Sequence, residues 1–293
     1  MTYSIVARDP ETGQLGVAVQ SHFLGVGPVV PWLEAGVGAI ATQAQVDVSF
    51  GPLGLELLRE GRSAEQVVAA LVASDPNAQV RQLGVVDREG GAAAFTGQNT
   101  IPAAGHEIHE GFTVQGNLLE RDTCWPAMAT AYEAALADGA PFSERLIRAL
   151  EAAEAEGGDV RGRQSSAIMI VEGSVQAAPW RGKVLDARVD DHPNPVPELR
   201  RLVDLYESYA LVETEDEVTN ATRYAEARRR APDAYELVFW MGIEHLRHGD
   251  LSGARRELDI AFAADTRWRT TLQHLVDARW ENLTPELLAQ LEA

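Results

Sequence analysis

Thr2 stands directly behind the start methionine, and Tyr3-Ser4-Ile5-Val6-Ala7-Arg8 follows as an alternating, β-rich stretch. A small second residue is what methionine aminopeptidases accept, so Met1 is expected to be removed and Thr2 to become the amino terminus. A terminal threonine carries its own base. Its α-amino group titrates near about 7.7–8.0 when unperturbed, so part of it is neutral at physiological pH. It can take the side-chain hydroxyl proton, directly or through one water, and turn that oxygen into a nucleophile. Many cytosolic proteins also begin Met-Thr. The rest of the chain must therefore supply donors for an oxyanion and groups that hold a substrate.

Candidates for those roles recur where strands are expected to start or end. Gln43 closes Ala39-Ile40-Ala41-Thr42-Gln43. Gln115 and Asn117 lie in Val114-Gln115-Gly116-Asn117, where Gly116 permits close backbone approach. Arg163 and Ser165 lie in Gly162-Arg163-Gln164-Ser165-Ser166, the entry to an apolar strand. Amides and hydroxyls are neutral donors suited to a developing alkoxide, and a guanidinium can clamp a carboxylate through two bonds. The expected roles are Thr2 as nucleophile and Asn117, with backbone near Gln43 or Gly116, as oxyanion donor. Gln43, Gln115, Arg163 and Ser165 are expected to bind substrate. The same residue types also cap helices and close turns.

Other groups point elsewhere with less force. Ser21-His22 lacks a G-x-S-x-G surround, and adjacent strand residues face opposite ways. His106 and His109 lie between Gly105 and Gly111 in what reads as a polar loop, a weak zinc pattern. Asp186, Asp190, Asp191 and His192 precede a proline-rich joint; hard-metal ligation there competes with a solvated turn. Cys124 has no C-x-x-C partner, and no phosphate-binding glycine motif opens a helix. No metal and no cofactor is expected.

The elements that must position these residues read in order. Tyr3–Arg8 and Leu15–Ser21 form a hairpin around Asp9-Pro10-Glu11-Thr12-Gly13, and Val37–Gln43 is a further strand. Helices are expected over Pro52–Glu60 and Ser63–Ala73, the second opened by a Ser63/Gln66 capping box. Gln82–Val86 and Ala92–Thr96 make a second hairpin, and Phe112–Asn117 another strand. Helices over Trp125–Ala137 and Phe142–Glu156 precede a strand at Ser166–Val171. Strands apolar at nearly every position, such as Ile168-Met169-Ile170-Val171, imply burial on both faces. Small residues recur in them, which suits two sheets pressed together beneath helical layers; an ordinary two-layer α+β fold is the alternative. The fold class expected is α+β, a four-layer αββα sandwich over residues 1–195.

After Asp191-His192-Pro193-Asn194-Pro195-Val196-Pro197 the pattern is helical. Residues 196–214 read as a linker helix and 215–293 as a small all-α domain. Gly242, Ala254, Leu258 and Ala261 fall where a tetratricopeptide-like repeat wants small or apolar residues, and Tyr224, Ala227 and Pro232 match one period earlier.

Bulk properties narrow the field. The 293 residues are 45% apolar and 24% charged, an ordinary globular balance. A net charge of −19 repels a phosphate backbone and an anionic membrane, so neither nucleic acid nor membrane is an expected partner. Lys183 is the one lysine among 25 basic residues, leaving Schiff-base chemistry a single candidate. No apolar run approaches a membrane span, no basic-then-apolar leader opens the chain, and one cysteine gives no internal disulfide. A cytoplasmic protein is expected.

Met1 to Asp9, Gly16-Val17-Ala18-Val19-Gln20-Ser21, Ala41-Thr42-Gln43-Ala44, Gln115-Gly116-Asn117-Leu118, Gly162-Arg163-Gln164-Ser165-Ser166-Ala167 and Arg188-Val189-Asp190-Asp191-His192-Pro193 together resemble a bacterial domain family of unknown function. That family is placed by fold among the Ntn (N-terminal nucleophile) hydrolase-like proteins. The resemblance covers roughly residues 1–210. It implies the αββα fold and strengthens Thr2 as nucleophile, but supplies no substrate. Members often carry a C-terminal extension labelled peptidoglycan-binding. The corresponding stretch here reads as paired helices without an aromatic sugar-stacking pattern. The expected activity is an Ntn-type amidohydrolase acting on a small amide or acyl substrate. The alternative is a non-catalytic binding or scaffold protein whose C-terminal helices recruit a protein partner or a second subunit. A cell-wall amidase is a weaker third option, because no export signal is read.

Overall fold

A computed structural model describes residues 2–212 and 220–292. Met1, on which the free-amine expectation depends, lies outside them, as do residues 213–219 at the expected start of the helical domain. The chain divides into two compact units, Met1–Val203 and Asp204–Ala293.

The first unit is mixed α+β with antiparallel sheets. Its six-stranded sheet contains β1 (Thr2–Arg8), β2 (Leu15–Ser21), β7 (Gly105–His109), β8 (Phe112–Asn117), β9 (Ser165–Val171) and β10 (Lys183–Val189), in the order β10-β9-β2-β1-β8-β7. A four-stranded sheet orders β3 (Pro31–Glu34), β4 (Gly38–Ala44), β5 (Arg81–Asp87) and β6 (Ala92–Thr96) consecutively. Helices α1 (Phe50–Arg59) and α2 (Ala64–Ser74) pack on the four-stranded sheet. Helices α3 (Cys124–Ala137) and α4 (Phe142–Ala155) pack on the six-stranded one. The expected capping box opens α2: Gln66 donates its N–H to Ser63 Oγ and Gln66 Oε1 accepts the Ser63 N–H.

Period-two alternation sorts every inner strand. Tyr3, Ile5 and Ala7 join Ala18 and Ile168 beneath Met128, Leu146 and Leu150 of the helices. On the other side of β1 lie Thr2, Ser4 and Val6. Val6 packs with Val17, Val19 and Ala167 of its own sheet and Ala39, Ala41 and Val86 of the facing sheet. Ile40, Leu83 and Val85 turn away from that interface to meet Leu55, Leu58, Val67 and Leu71 of α1 and α2. The small residues let the two sheets approach. At Gly84 a Cβ would come within 2.4 Å of Gln115 Oε1 and 2.6 Å of Thr113 Oγ1, so the spacing here excludes any side chain.

Three strands escape the sequence pattern. The segment read as a polar loop around His106 and His109 is β7, an edge strand paired to β8 with His109 opposite Phe112. His109 stacks on Phe112 and faces Glu107 and Glu133, contacts that a sequence window does not reveal. Strand β10 takes up Asp186, whose carboxylate pairs with Lys183 and Arg188. Strand β3 is only four residues long. Among the described residues no group of three or more His, Cys, Asp or Glu could hold a metal ion. None of the described helices is long and apolar enough to cross a membrane.

Helix α5 (Pro195–Val212) runs through the division between units. The second unit continues with α6 (Asn220–Arg230), α7 (Tyr235–Arg247), α8 (Leu251–Ala264), α9 (Arg267–Asp277) and α10 (Pro285–Glu292). Its core joins Phe239, Ile243, Leu258 and Phe262 to Leu272 and Leu291. At the α7–α8 crossing a Cβ on Gly242 would meet Leu258 Cγ at 2.7 Å, so the glycine sets the approach of the two helices.

Candidate active site

Pairing of the strands brings four polar residues into one row at one end of the six-stranded sheet. Thr2 lies opposite Asn117, Tyr3 opposite Gln20, and Ser21 opposite Ser165. The row therefore runs Asn117, Thr2, Ser21, Ser165 across β8, β1, β2 and β9. Cross-strand neighbours share a face, and this is the face turned to the second sheet. Thr2 is 5% exposed, and its Oγ1 donates to Ser21 Oγ at 3.1 Å.

The facing sheet contributes two buried amides, Gln43 from β4 and Gln82 from β5, which lie opposite one another in register. Gln43 Nε2 donates to Gln82 Oε1 at 2.8 Å and to the Thr2 carbonyl at 3.4 Å. Asn117 Nδ2 donates to the same two acceptors, Gln82 Oε1 at 2.9 Å and the Thr2 carbonyl at 3.3 Å. Gln115 Nε2 donates to Ser4 Oγ at 2.7 Å, and Ser4 Oγ donates onward to Gln43 Oε1 at 2.6 Å. Two amides from different sheets thus grip the Thr2 peptide plane, while its side chain lies beside Ser21.

Gln82 ties the network to the far edge. Its Nε2 lies within bonding distance of Gly116 O (2.7 Å), Thr96 Oγ1 (2.9 Å) and Gly105 O (3.0 Å). Thr96 Oγ1 also contacts His106 Nδ1 at 2.8 Å. Thr96 and His106 line a cavity of about 430 Å³ with Gln98, Thr100 and Gly105. Burial pushes the His106 imidazole below its ordinary value, favouring the neutral ring. Apart from that imidazole, the network is made of amides, hydroxyls and backbone carbonyls. A buried array of neutral groups, each hydrogen-bonded to the next, is rigid and holds its geometry without desolvating a charge.

The backbone leaves this end abruptly. Ala44, just after Gln43, has φ 71°, and Leu118, just after Asn117, has φ 52°. Left-handed conformations at non-glycine residues cost roughly 1–3 kcal/mol each and persist only where surroundings impose them. Both fall beside amides that hold Thr2.

The expected site residues divide accordingly. Thr2, Gln43, Gln115 and Asn117 come together. Asn117 directs its amide to the Thr2 carbonyl and Gln82, which makes it a clamp on the Thr2 backbone where an oxyanion donor was expected. Ser165 joins the row, but its hydroxyl donates to Phe23 O at 2.5 Å and accepts the Val26 N–H at 3.1 Å, pinning the loop after Ser21. Arg163 stands outside the network. Its guanidinium pairs with Glu154 of α4 and reaches Asn194 Oδ1 at 3.2 Å. Glu154 also accepts the Tyr3 hydroxyl. Tyr3 points to the helical layer because it is one residue out of phase with Thr2, and Arg163 lies with it. Burial, followed by the Glu154 charge, pushes the Tyr3 phenol well above its ordinary value.

Ser4, Ser21, Gln82 and Thr96 complete the network; the sequence singles out only Ser21 of these, in the Ser21-His22 pair, and ranks it below Thr2. The signal that could have found Ser4 and Gln82 is parity: polar residues two apart from Thr2 on β1, or in phase with the small inward residues of β5, must face the other sheet.

A sequence model described as a family of unknown function, DUF1028, matches residues 2–199. A search of curated proteins finds no match. The crystal structure of a protein from Silicibacter pomeroyi, described under the same family, is similar at 32% identity with a TM-score of 0.62. The similarity covers 75% of this chain and 92% of that one. The family match spans more than half of the chain and takes in every residue of the polar network, so this protein belongs to the DUF1028 family of unknown function.

Proposed function

We propose that this protein is an Ntn-type amidohydrolase with an αββα core, acting on a small amide or acyl substrate through Thr2 after removal of Met1. The observation that carries the reading is the double grip on the Thr2 carbonyl by Asn117 and Gln43, one amide from each sheet, with the Thr2 hydroxyl held beside Ser21. Such convergence on a single residue at a strand end is the preorganisation that nucleophilic catalysis needs.

In the proposed reaction the freed α-amine takes the Thr2 hydroxyl proton as Oγ1 bonds to the substrate carbonyl carbon. The carbon–nitrogen bond breaks, the α-ammonium returns its proton to the leaving amine, and water hydrolyses the resulting ester. The side-chain amides at this end are engaged with the Thr2 carbonyl and with one another, which leaves backbone N–H groups to stabilise the oxyanion.

Intact mass measurement together with turnover of a panel of small amides tests the reading. Protein lacking Met1 should turn over at least one amide, and Thr2→Ala should lower kcat by about a thousandfold or more. Active protein that retains Met1, or equal turnover by Thr2→Ala, rejects Thr2 as the nucleophile.

A second reading concerns the helical unit. A cavity of about 510 Å³ lies between α8, α9 and α10, lined by Phe262, Leu272 and Leu288 with Arg255 and Arg269. Asp259 and Gln273 also line it, Arg255 donates to the carbonyls of Leu291 and Gln290, and Arg269 lies over the Phe262 ring, so the cleft suits a polar segment of a protein partner. That role for the C-terminal helices is compatible with catalysis in the first unit.

A further inference from the structure

Exposed apolar side chains gather at the Thr2 end of the two sheets. Strand β2 ends at Ser21, and the chain continues through Phe23 and Leu24, which are 50% and 64% exposed. Strand β4 ends at Ala44, followed by exposed Val46 and Val48. Ile101 is exposed and accepts the N–H of Leu118, the residue after Asn117, at 2.8 Å. Val160 is exposed, and its N–H points to Leu118 O at 3.5 Å. Connections at the opposite end of the sheets contribute only Val175 to the exposed large apolar residues, among the described side chains.

These loops are fixed to the polar row. Ser165 holds Phe23 O and the Val26 N–H. The Asp159 carboxylate accepts the His22 N–H at 2.9 Å, joining the loop that carries Val160 to the one that carries Phe23. The left-handed residues Ala44 and Leu118 turn the chain outward directly after Gln43 and Asn117.

The arrangement has a buried polar centre, with these exposed apolar residues around it on loops that also expose Gln45, Gln98, Arg121 and Arg161. An interface between protein copies is built the other way, with an apolar centre, a polar rim and about 20–30 residues a side. A small-ligand site combines mostly apolar walls with a few placed polar groups. A chain carrying −19 also repels anionic ligands. We infer that the substrate of the Thr2 site is a neutral amide bearing an apolar acyl chain, which lies against Phe23, Leu24, Val46, Val48, Ile101 and Val160. This inference rests on the proposed nucleophilic role of Thr2.

Titration calorimetry on the full-length Thr2→Ala protein, with acetamide, butyramide, hexanamide and octanamide as probes, separates the rim from the chemistry. Each methylene buried against the rim should tighten binding about three- to fourfold. Phe23→Ser/Leu24→Ser should flatten that dependence without changing the melting temperature, since both side chains are exposed. Absence of binding by all four amides, or a dependence on chain length that survives the double substitution, overturns the inference. So does loss of a dimer on sedimentation of the double variant with the dependence intact, which would make the rim a contact between copies. Failure of the Thr2 reading registers separately, as chain-length-dependent binding to a wild-type protein that hydrolyses none of the four.

Discussion

Gln43 and Gln82 face each other across β4 and β5, and a 2.8 Å hydrogen bond joins their amides. Together they carry the four-stranded sheet's contribution to the Thr2 site. Gln43 reaches Ser4 and the Thr2 carbonyl, and Gln82 reaches Asn117, Gly116 and Gly105. The two sheets are therefore locked in register by side-chain amides at one end and by small apolar residues along the rest of the interface.

Gln82 is the member whose loss leaves most groups stranded. Gln82→Leu keeps the bulk but leaves the Gly116 and Gly105 carbonyls and the Thr96 hydroxyl without this donor, and Asn117 and Gln43 without this acceptor. A buried polar group deprived of its partner costs roughly 1–3 kcal/mol, so the variant should lose ~2–4 kcal/mol in urea unfolding. A change within experimental error would mean that the network is not the element fixing sheet against sheet.

At the opposite end of β1, Asp9 and Arg145 form a buried ion pair at 2.8 Å, each side chain 4% exposed. Burial raises the Asp9 pKa, but the Thr12 hydroxyl, the Arg145 guanidinium and the Glu11 N–H outweigh it and hold the carboxyl below its ordinary 3.8. Arg145→Met should cost about 3–5 kcal/mol by leaving that carboxylate buried alone, and adding Asp9→Asn should recover part of the loss. The lowered carboxyl pKa also sets a sign. Its stabilisation is complete above the unfolded value and disappears as pH falls from there through the folded one. Unfolding measured from pH 6 down to pH 2 should show a shallower acid limb in Asp9→Asn than in wild type.

His106 gives the opposite titration. Burial lowers its pKa from 6.5, so the unfolded chain binds a proton that the folded chain refuses. Stability contributed by the neutral ring is full above pH 6.5 and declines as pH falls from there to the folded value. His106→Asn should remove that part of the slope, read from denaturation midpoints between pH 7.5 and pH 5. An unchanged slope would place the proton elsewhere.

The split between what local pattern reveals and what it hides is visible on β1 itself. Alternation of Thr2, Ser4 and Val6 against Tyr3, Ile5 and Ala7 is written in six residues and assigns two faces. It does not say which face meets a sheet and which meets helices. That assignment separated Arg163, drawn to Glu154 beside Tyr3, from Gln43 and Asn117, drawn to Thr2. Likewise Gly105–His109 reads as a loop because two glycines bracket it, yet pairing with β8 makes it a strand and carries His106 next to Thr96.

By itself the sequence determined the strand and helix periodicities, the Ser63 cap and the polar residues at strand ends. Those are local properties, set by side-chain parity and backbone preference over a few residues. Only the tertiary structure decided that Ser4 meets Gln43, that Asn117 meets Thr2 and that Gln82 joins them, contacts spanning 39, 115 and 35 residues. Their geometry depends on how two sheets register against each other. That registry comes from packing small residues such as Gly84, Ala39 and Ala41 across the interface, and no single segment encodes it.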